Sequence, residues 1–142
     1  MQLTIHSDYA LRILIFCGSR NPQLVTIPQV SEAYNISRHH VGKIVTELGD
    51  KGYLRIQRGR GGGFSSTEKA LCTTVGDLVR AMEPNFNLVE CFKGPGENHC
   101  PLTPICKLKS PLVEATEAFL AVLDQYTLRE MITKNTRKFF EN

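Results

Sequence analysis

Between Cys91 and Cys106 the chain carries three of its five cysteines and three of its seven prolines, Pro95, Pro101 and Pro104, together with Gly94 and Gly96. Proline fixes φ and removes a backbone donor, so this stretch can neither form a regular element nor bury a core of its own. Something other than apolar packing has to hold it, and the rest of the 142 residues must fold around it. That length is close to one domain, for which about 150 residues is the rough prior. The 42% hydrophobic content is enough for a core and argues against a wholly disordered chain. The apolar run Ile13 to Cys17 falls far short of the ~20 residues of a membrane helix. The stretch from Met1 to Asp8 lacks the basic and apolar segments of a secretory signal, so a cytoplasmic protein without membrane contact is expected. In that compartment thiols stay reduced, which turns an odd cysteine count toward metal or redox chemistry and away from a disulfide framework.

Before the cysteine stretch the pattern is helical. Thr4 or Ser7 can cap a first helix running through Tyr9, Ala10, Leu11, Ile13, Leu14 and Ile15 to about Gly18, and Asn21-Pro22 breaks it. Thr26 and Gln29 have the spacing of a capping box for a short second helix, with Pro28 in its first turn. Asn35 suits the left-handed residue that ends it, and Ser37 can cap a third. There Val41, Ile44, Val45 and Leu48 form one buried stripe, while His39, Gly42, Lys43 and Thr46 point away from it. Two helices joined by a tight Asn-Ile-Ser turn make a helix-turn-helix candidate; an ordinary helical hairpin has the same pattern.

The following segment favours the first reading. Tyr53 to Arg58 alternates with period two, placing Leu54 and Ile56 on one face of a half-buried strand. Arg58-Gly59-Arg60-Gly61-Gly62-Gly63 is a turn from which Phe64 to Ser66 can return, making a β-hairpin wing. Glycines allow close backbone approach to phosphate, and the arginines supply charge and donors. A nucleotide cradle would need a different glycine-lysine spacing and a helix N-terminus directly after it. The window Ser37 to Lys69 holds seven Lys and Arg against three Asp and Glu, although the whole chain carries only +3. Concentrated positive charge on a near-neutral chain is what phosphate binding requires, with a solvated basic face as the plainer alternative. Thr74 can cap a further helix with Val75, Leu78, Val79 and Met82 on one side and Pro84 as its stop.

Cys91, Cys100 and Cys106 are spaced C-x8-C-x5-C, and three thiolates on one loop can converge on a metal. The spacing is unlike most structural zinc knuckles, and soft thiolates equally suit an iron-sulfur cluster that takes one non-cysteine ligand. His99 is awkwardly adjacent to Cys100, whereas His6, Asp8, His39 and His40 are candidates from a second subunit. Cys17 reads as a buried core thiol, and Cys72, isolated in a connector, has no assigned role. Past the loop, Ser110 and Pro111 start a helix expected to reach Ile132, with Leu112, Phe119 and Tyr126 seven apart. A rod of about 35 Å exceeds what one small domain needs, so packing against its copy is the expected use, with intrachain packing as the alternative. The charged tail Lys134 to Asn142 is expected to fray.

The start Met1-Gln2-Leu3-Thr4 with Asp8-Tyr9-Ala10-Leu11-Arg12, the wing Arg58 to Gly63, and three loop cysteines followed by Lys107-Leu108 together resemble a family of dimeric bacterial iron-sulfur regulators. The resemblance spans nearly the whole chain. It implies a mainly α fold with a small β-hairpin: a winged helix-turn-helix DNA-binding domain over 1–83, a cluster-binding loop over 84–109, and a dimerisation helix with its tail over 110–142. One branch of the family uses a histidine three residues after the last cysteine; here that position is Lys109. In the nitric-oxide-sensing branch a carboxylate near the N-terminus of the other subunit completes the ligand set, and Asp8 stands at the matching position. Glu83-Pro84 and the longer first cysteine spacing resemble that branch most.

The resemblance therefore implies a homodimeric repressor, not an enzyme. Cys91, Cys100, Cys106 and Asp8 of the partner subunit would hold a cluster, 4Fe-4S in preference to 2Fe-2S, with nitric oxide as the signal that releases operator DNA of nitrosative-stress genes. Ser37, Arg38, His39, His40 and Lys43 are expected at the major groove, and Arg58 and Arg60 at the adjacent minor groove or phosphates. The competing classes are a winged-helix regulator with structural zinc or a thiol switch, an iron-sulfur regulator answering to iron or oxygen, and an electron carrier or enzyme. No catalytic triad or substrate-pocket motif supports the last.

Overall fold

The Thr4 hydroxyl accepts the backbone N–H of Ser7 at 3.2 Å and starts α1, Ile5–Arg20. The computed structural model describes residues 2–94 and 96–141, so Met1, the loop proline Pro95 and the tail residue Asn142 lie outside the described residues. Thr26 and Gln29 form the expected capping pair at 2.8 Å, opening α2, Ile27–Tyr34. Asn35 adopts φ 53° and ends it, and Ser37 caps α3, Arg38–Asp50, by accepting the His40 N–H at 3.3 Å. The expected stripe Val41, Ile44, Val45 and Leu48 is buried.

Strands β1, Leu54–Gln57, and β2, Gly63–Ser66, pair antiparallel with Leu54 opposite Ser66 and Ile56 opposite Phe64. Phe64 also exchanges both backbone bonds with Val25 at 2.8 Å, which ties the hairpin to the segment entering α2. This close approach needs Gly63: a Cβ there would stand 2.5 Å from the Val25 carbonyl. Leu54 is buried as expected, but Ile56 is 45% exposed, lying over Gly49 at the end of α3. A two-stranded hairpin projects past the core, so its period-two pattern does not bury both residues.

A short helix absent from the sequence reading, α4, Glu68–Cys72, follows under a Thr67 cap, and α5, Val75–Met82, begins at Thr74 as expected. The cysteine stretch is built of turns, with one 3-10 turn, Glu90–Phe92, that carries Cys91.

The C-terminal region differs most from expectation. Helix α6, Lys109–Leu123, begins one residue before Ser110 and stops nine short of Ile132. The chain turns because the Tyr126 carbonyl accepts the Val75 N–H at 2.8 Å and the Leu128 N–H donates to Thr73 at 3.0 Å. Thr127 then caps α7, Leu128–Met131, through Glu130 at 2.6 Å. Fifteen residues make a rod of only about 22 Å. The tail does not fray: α8, Lys134–Glu141, places Phe140 edge-on to Phe16 at 4.8 Å and to Tyr34 at 5.7 Å. Burial pushes the Tyr34 hydroxyl up to about 12.

Helix α1 lies at the centre, packed against α3, β2, α5, α7 and α8. Ala10, Ile13, Leu14 and Cys17 on it are fully buried.

Two outcomes follow from this packing. Gly63→Ala should push β2 off Val25 and lower unfolding stability by about 1–3 kcal/mol in urea titration. Arg80 bonds both oxygens of Asp124, at 2.6 and 2.7 Å, and holds that carboxyl below its ordinary range. The pair's contribution is therefore fully present above the ordinary carboxylate range and is lost as pH falls through the depressed value. Protection of the last turn of α6 against hydrogen exchange, corrected for the intrinsic pH dependence of the exchange rate, should fall only on such acidification.

Candidate nucleic-acid interface and thiol loop

The exposed end of α3 presents Arg38, His39 and Lys43 to solvent, with Ser37 exposed at its cap. The Ser37 hydroxyl is occupied by the His40 N–H. Arg58 and Arg60 are exposed on the wing, in a turn where Gly59 and Gly61 take φ 96° and 76°. A groove of about 440 Å³ runs between α3 and the hairpin, lined by Gly42, Thr46, Ile56 and Arg58, with Asp50 at one side. Among the described residues, none of Arg38, Lys43, Arg58 or Arg60 is in an ion pair. Their charge is free for an external anion, because no internal carboxylate neutralises it. Six of the seven residues expected at DNA are exposed, on α3 with its cap and on the wing; His40 differs. It is half-buried, with its ring edge-on to Tyr9 of α1 at 5.1 Å and 6.1 Å from His6.

Asp8 is 41% exposed on α1 and pairs with Arg12 at 2.6 Å. Two residues before it, His6 bonds Glu47 of α3 at 2.7 Å. A contact spanning 41 residues has no local signal, and sequence reasoning missed it.

Cys91, Cys100 and Cys106 are free, half-buried thiols. Their loop is stapled by polar contacts. Glu90 accepts the His99 N–H at 2.6 Å, Asn98 accepts the Cys100 N–H at 3.1 Å, and the Thr103 hydroxyl donates to the Cys100 carbonyl at 2.9 Å. Asn98 and Thr103 were not singled out by sequence, although an Asn two residues before an acceptor-poor cysteine is a recognisable turn signal. Leu102, Ile105 and Leu108, interleaved with the cysteines, are exposed and give the loop no core.

Among the described residues no three His, Cys, Asp or Glu side chains stand close enough together to hold a metal ion. The donor set nevertheless fits a thiophilic group in its chemistry: three accessible soft donors share one loop, and that loop's fold depends on a few hydrogen bonds rather than on packed side chains. The loop offers three thiols, so a group that takes four ligands would need its fourth donor from elsewhere. The other cysteines do not compete. Cys17 is fully buried, as expected, and burial pushes its thiol far up, which keeps it protonated. Cys72 is not in a bare connector but ends α4, where its thiol donates to Glu68 at 3.3 Å beside Arg129.

No described helix is long and apolar enough to cross a membrane. The chain is 46% identical to the HTH-type transcriptional regulator NsrR of Bacillus licheniformis over 133 residues, which cover 93% of this chain and 92% of that protein. It is 44% identical to NsrR of Bacillus subtilis, over 93% of this chain and 90% of that one. Among solved structures, the oxidized form of CymR from Staphylococcus aureus superposes with a TM-score of 0.71 at 22% identity, covering 93% of this chain and 96% of that chain. IscR of T. potens superposes with 0.69 at 18%, covering 93% and 86%. Both confirm the winged-helix fold, and the relatives are regulators rather than enzymes. A family model described as an iron-dependent transcriptional regulator matches residues 3–134, and with these relatives it shows that the chain belongs to the Rrf2 family.

Proposed function

We propose that this regulator is a homodimeric repressor of the cytoplasm that holds an iron-sulfur cluster and releases operator DNA of nitrosative-stress genes in response to nitric oxide. The observation that carries the reading is the loop itself: three free, half-buried thiols on a segment with no apolar core, attached to a winged helix whose Arg38, Lys43, Arg58 and Arg60 are in no ion pair among the described residues. The 40–47% identity to proteins named NsrR supports the choice of signal. In this reading 1–83 bind DNA, 84–109 hold the cluster and 110–142 join the protomers.

Cys91, Cys100 and Cys106 would hold the group, with Asp8 of the partner subunit as the fourth ligand and 4Fe-4S as the form expected. When bound, the cluster supplies iron that combines with nitric oxide. The chain's own residues do the rest. Asp8 is a hard, weakly held donor that is replaced more readily than a thiolate. Its accessible carboxylate is available to a second protomer once it leaves Arg12. Helix α1, which carries Asp8, is packed directly on α3, so a change at Asp8 reaches the DNA-facing helix through one rigid element. At the operator, Ser37, Arg38, His39, His40 and Lys43 serve the major groove and Arg58 and Arg60 the neighbouring phosphates or minor groove. The half-buried ring of His40 leaves it an edge position.

Anaerobic purification should yield a brown protein with about one cluster per protomer by iron and sulfide analysis, and its absorption should change on titration with nitric oxide. Binding to a duplex enriched from a random-sequence pool by the loaded protein should weaken in parallel. A colourless protein with zinc or no metal would overturn the cluster, and a loaded protein whose DNA affinity ignores nitric oxide would overturn the signal. On the same duplex, Arg60→Ala should weaken binding and reduce the slope of log affinity against log salt by about 0.9, the share of one phosphate contact.

A further inference from the structure

The interface between α1 and α3 is apolar at its centre, where Ala10, Ile13, Val41 and Ile44 are fully buried. Apolar packing sets the separation of two helices but only weakly opposes their sliding or turning, because it is non-directional. Directional contacts stand at the edge of this interface. His6 bonds Glu47 at 2.7 Å, and the His40 ring meets the Tyr9 ring edge-on at 5.1 Å. At about 100° per residue, His40 and Glu47 lie along one line of α3 two turns apart, while His6 and Tyr9 lie about 60° from each other on α1. Asp8 lies about 160° around α1 from His6 and about 100° from Tyr9, off the line of these contacts. One helix turn therefore carries the proposed ligand and, on a different line, the grip on the recognition helix.

We infer that His6 and Glu47, seconded by Tyr9 and His40, are positioning residues that lock the pitch of α3 to α1 and so convert the state of Asp8 into operator affinity. This rests on the proposed reading of Asp8 as the partner's ligand. The Glu47 side chain also stands 3.6 Å from Lys51, which keeps its carboxylate on the α3 surface between the DNA-facing lysine one turn before and the end of the helix. Breaking the bond leaves the apolar core in place, so α3 stays folded and its set relative to α1 is no longer fixed.

The test compares cluster-loaded and cluster-free protein on the duplex selected above, in the wild type, His6→Ala, Glu47→Ala, the double variant and His6→Gln. The ratio of the two affinities is the readout. Glu47→Ala also removes a negative charge near DNA, but that change acts on both forms alike and cancels in the ratio. We expect the ratio to fall toward one, by about fivefold or more, in each single variant. It should fall no further in the double variant and should recover in His6→Gln, whose amide N–H can reach the same carboxylate. Iron and sulfide content should match the wild type throughout. Unchanged ratios in the single variants, or losses that add in the double variant, would overturn the inference. So would a loss of iron in His6→Ala, which would place His6 in cluster retention. A wild-type ratio of one would overturn the reading of Asp8 itself, and the inference with it.

Discussion

The burial of α1 is the constraint on which the other elements depend. Its apolar residues Ala10, Ile13, Leu14 and Cys17 are inaccessible to solvent because α3, β2, α5, α7 and α8 all pack on it. Fully burying a side chain such as Ile13 or Leu14 contributes about 1.5–3 kcal/mol, against about 0.5–1.5 kcal/mol net for a typical hydrogen bond. Its N-terminus is also fixed from two sides. The Thr4 N–H donates to Glu83 beyond α5 at 2.6 Å, and His6 bonds Glu47 of α3. A helix held in this way moves as a unit, which makes it suited to carry a change at one of its exposed residues to whatever packs on it.

The DNA-facing parts are attached to that centre by different means. Helix α3 is joined through a buried stripe, whereas the wing is joined through backbone pairing of Phe64 with Val25 and through the absence of a side chain at Gly63. The wing therefore leaves Ile56 half in solvent and leaves Arg58 and Arg60 exposed and, among the described residues, in no ion pair. Free cations cost little on a surface in water and become useful when a polyanion arrives, because the phosphates then displace only water and counterions. The cysteine loop is the opposite case. Its exposed Leu102, Ile105 and Leu108 bury nothing, and its shape rests on Glu90, Asn98 and Thr103. Polar contacts of that kind are each worth about 0.5–1.5 kcal/mol net, so the loop can adjust around a bound group without disturbing the core.

Much of the local structure was legible before any coordinates. Thr4, Thr26 with Gln29, Asn35, Ser37 and Thr74 each mark a helix end through chemistry contained within four residues, and each does so in the structure. The Thr127 and Glu130 pair carries the same signal and explains why α6 stops at Leu123. The apolar seven-residue spacing through Tyr126 points the other way, to a helix nine residues longer than the one that forms. For α8, the charged composition of the tail pointed to fraying, and only the aromatic seat made by Phe16 and Tyr34 reverses that expectation.

The sequence by itself determined the helix starts, the buried stripes, the wing with its unopposed arginines, and the grouping of three thiols on one coreless loop. All of these depend on residues near one another in the chain, where spacing and side-chain chemistry are visible. Only the tertiary structure decided that His40 turns to Tyr9, that His6 reaches Glu47, that Ile56 overhangs the core and that the tail docks on α1. Those outcomes depend on the angle and offset at which distant elements meet. Non-directional apolar packing settles that angle and offset collectively, and no single segment encodes it.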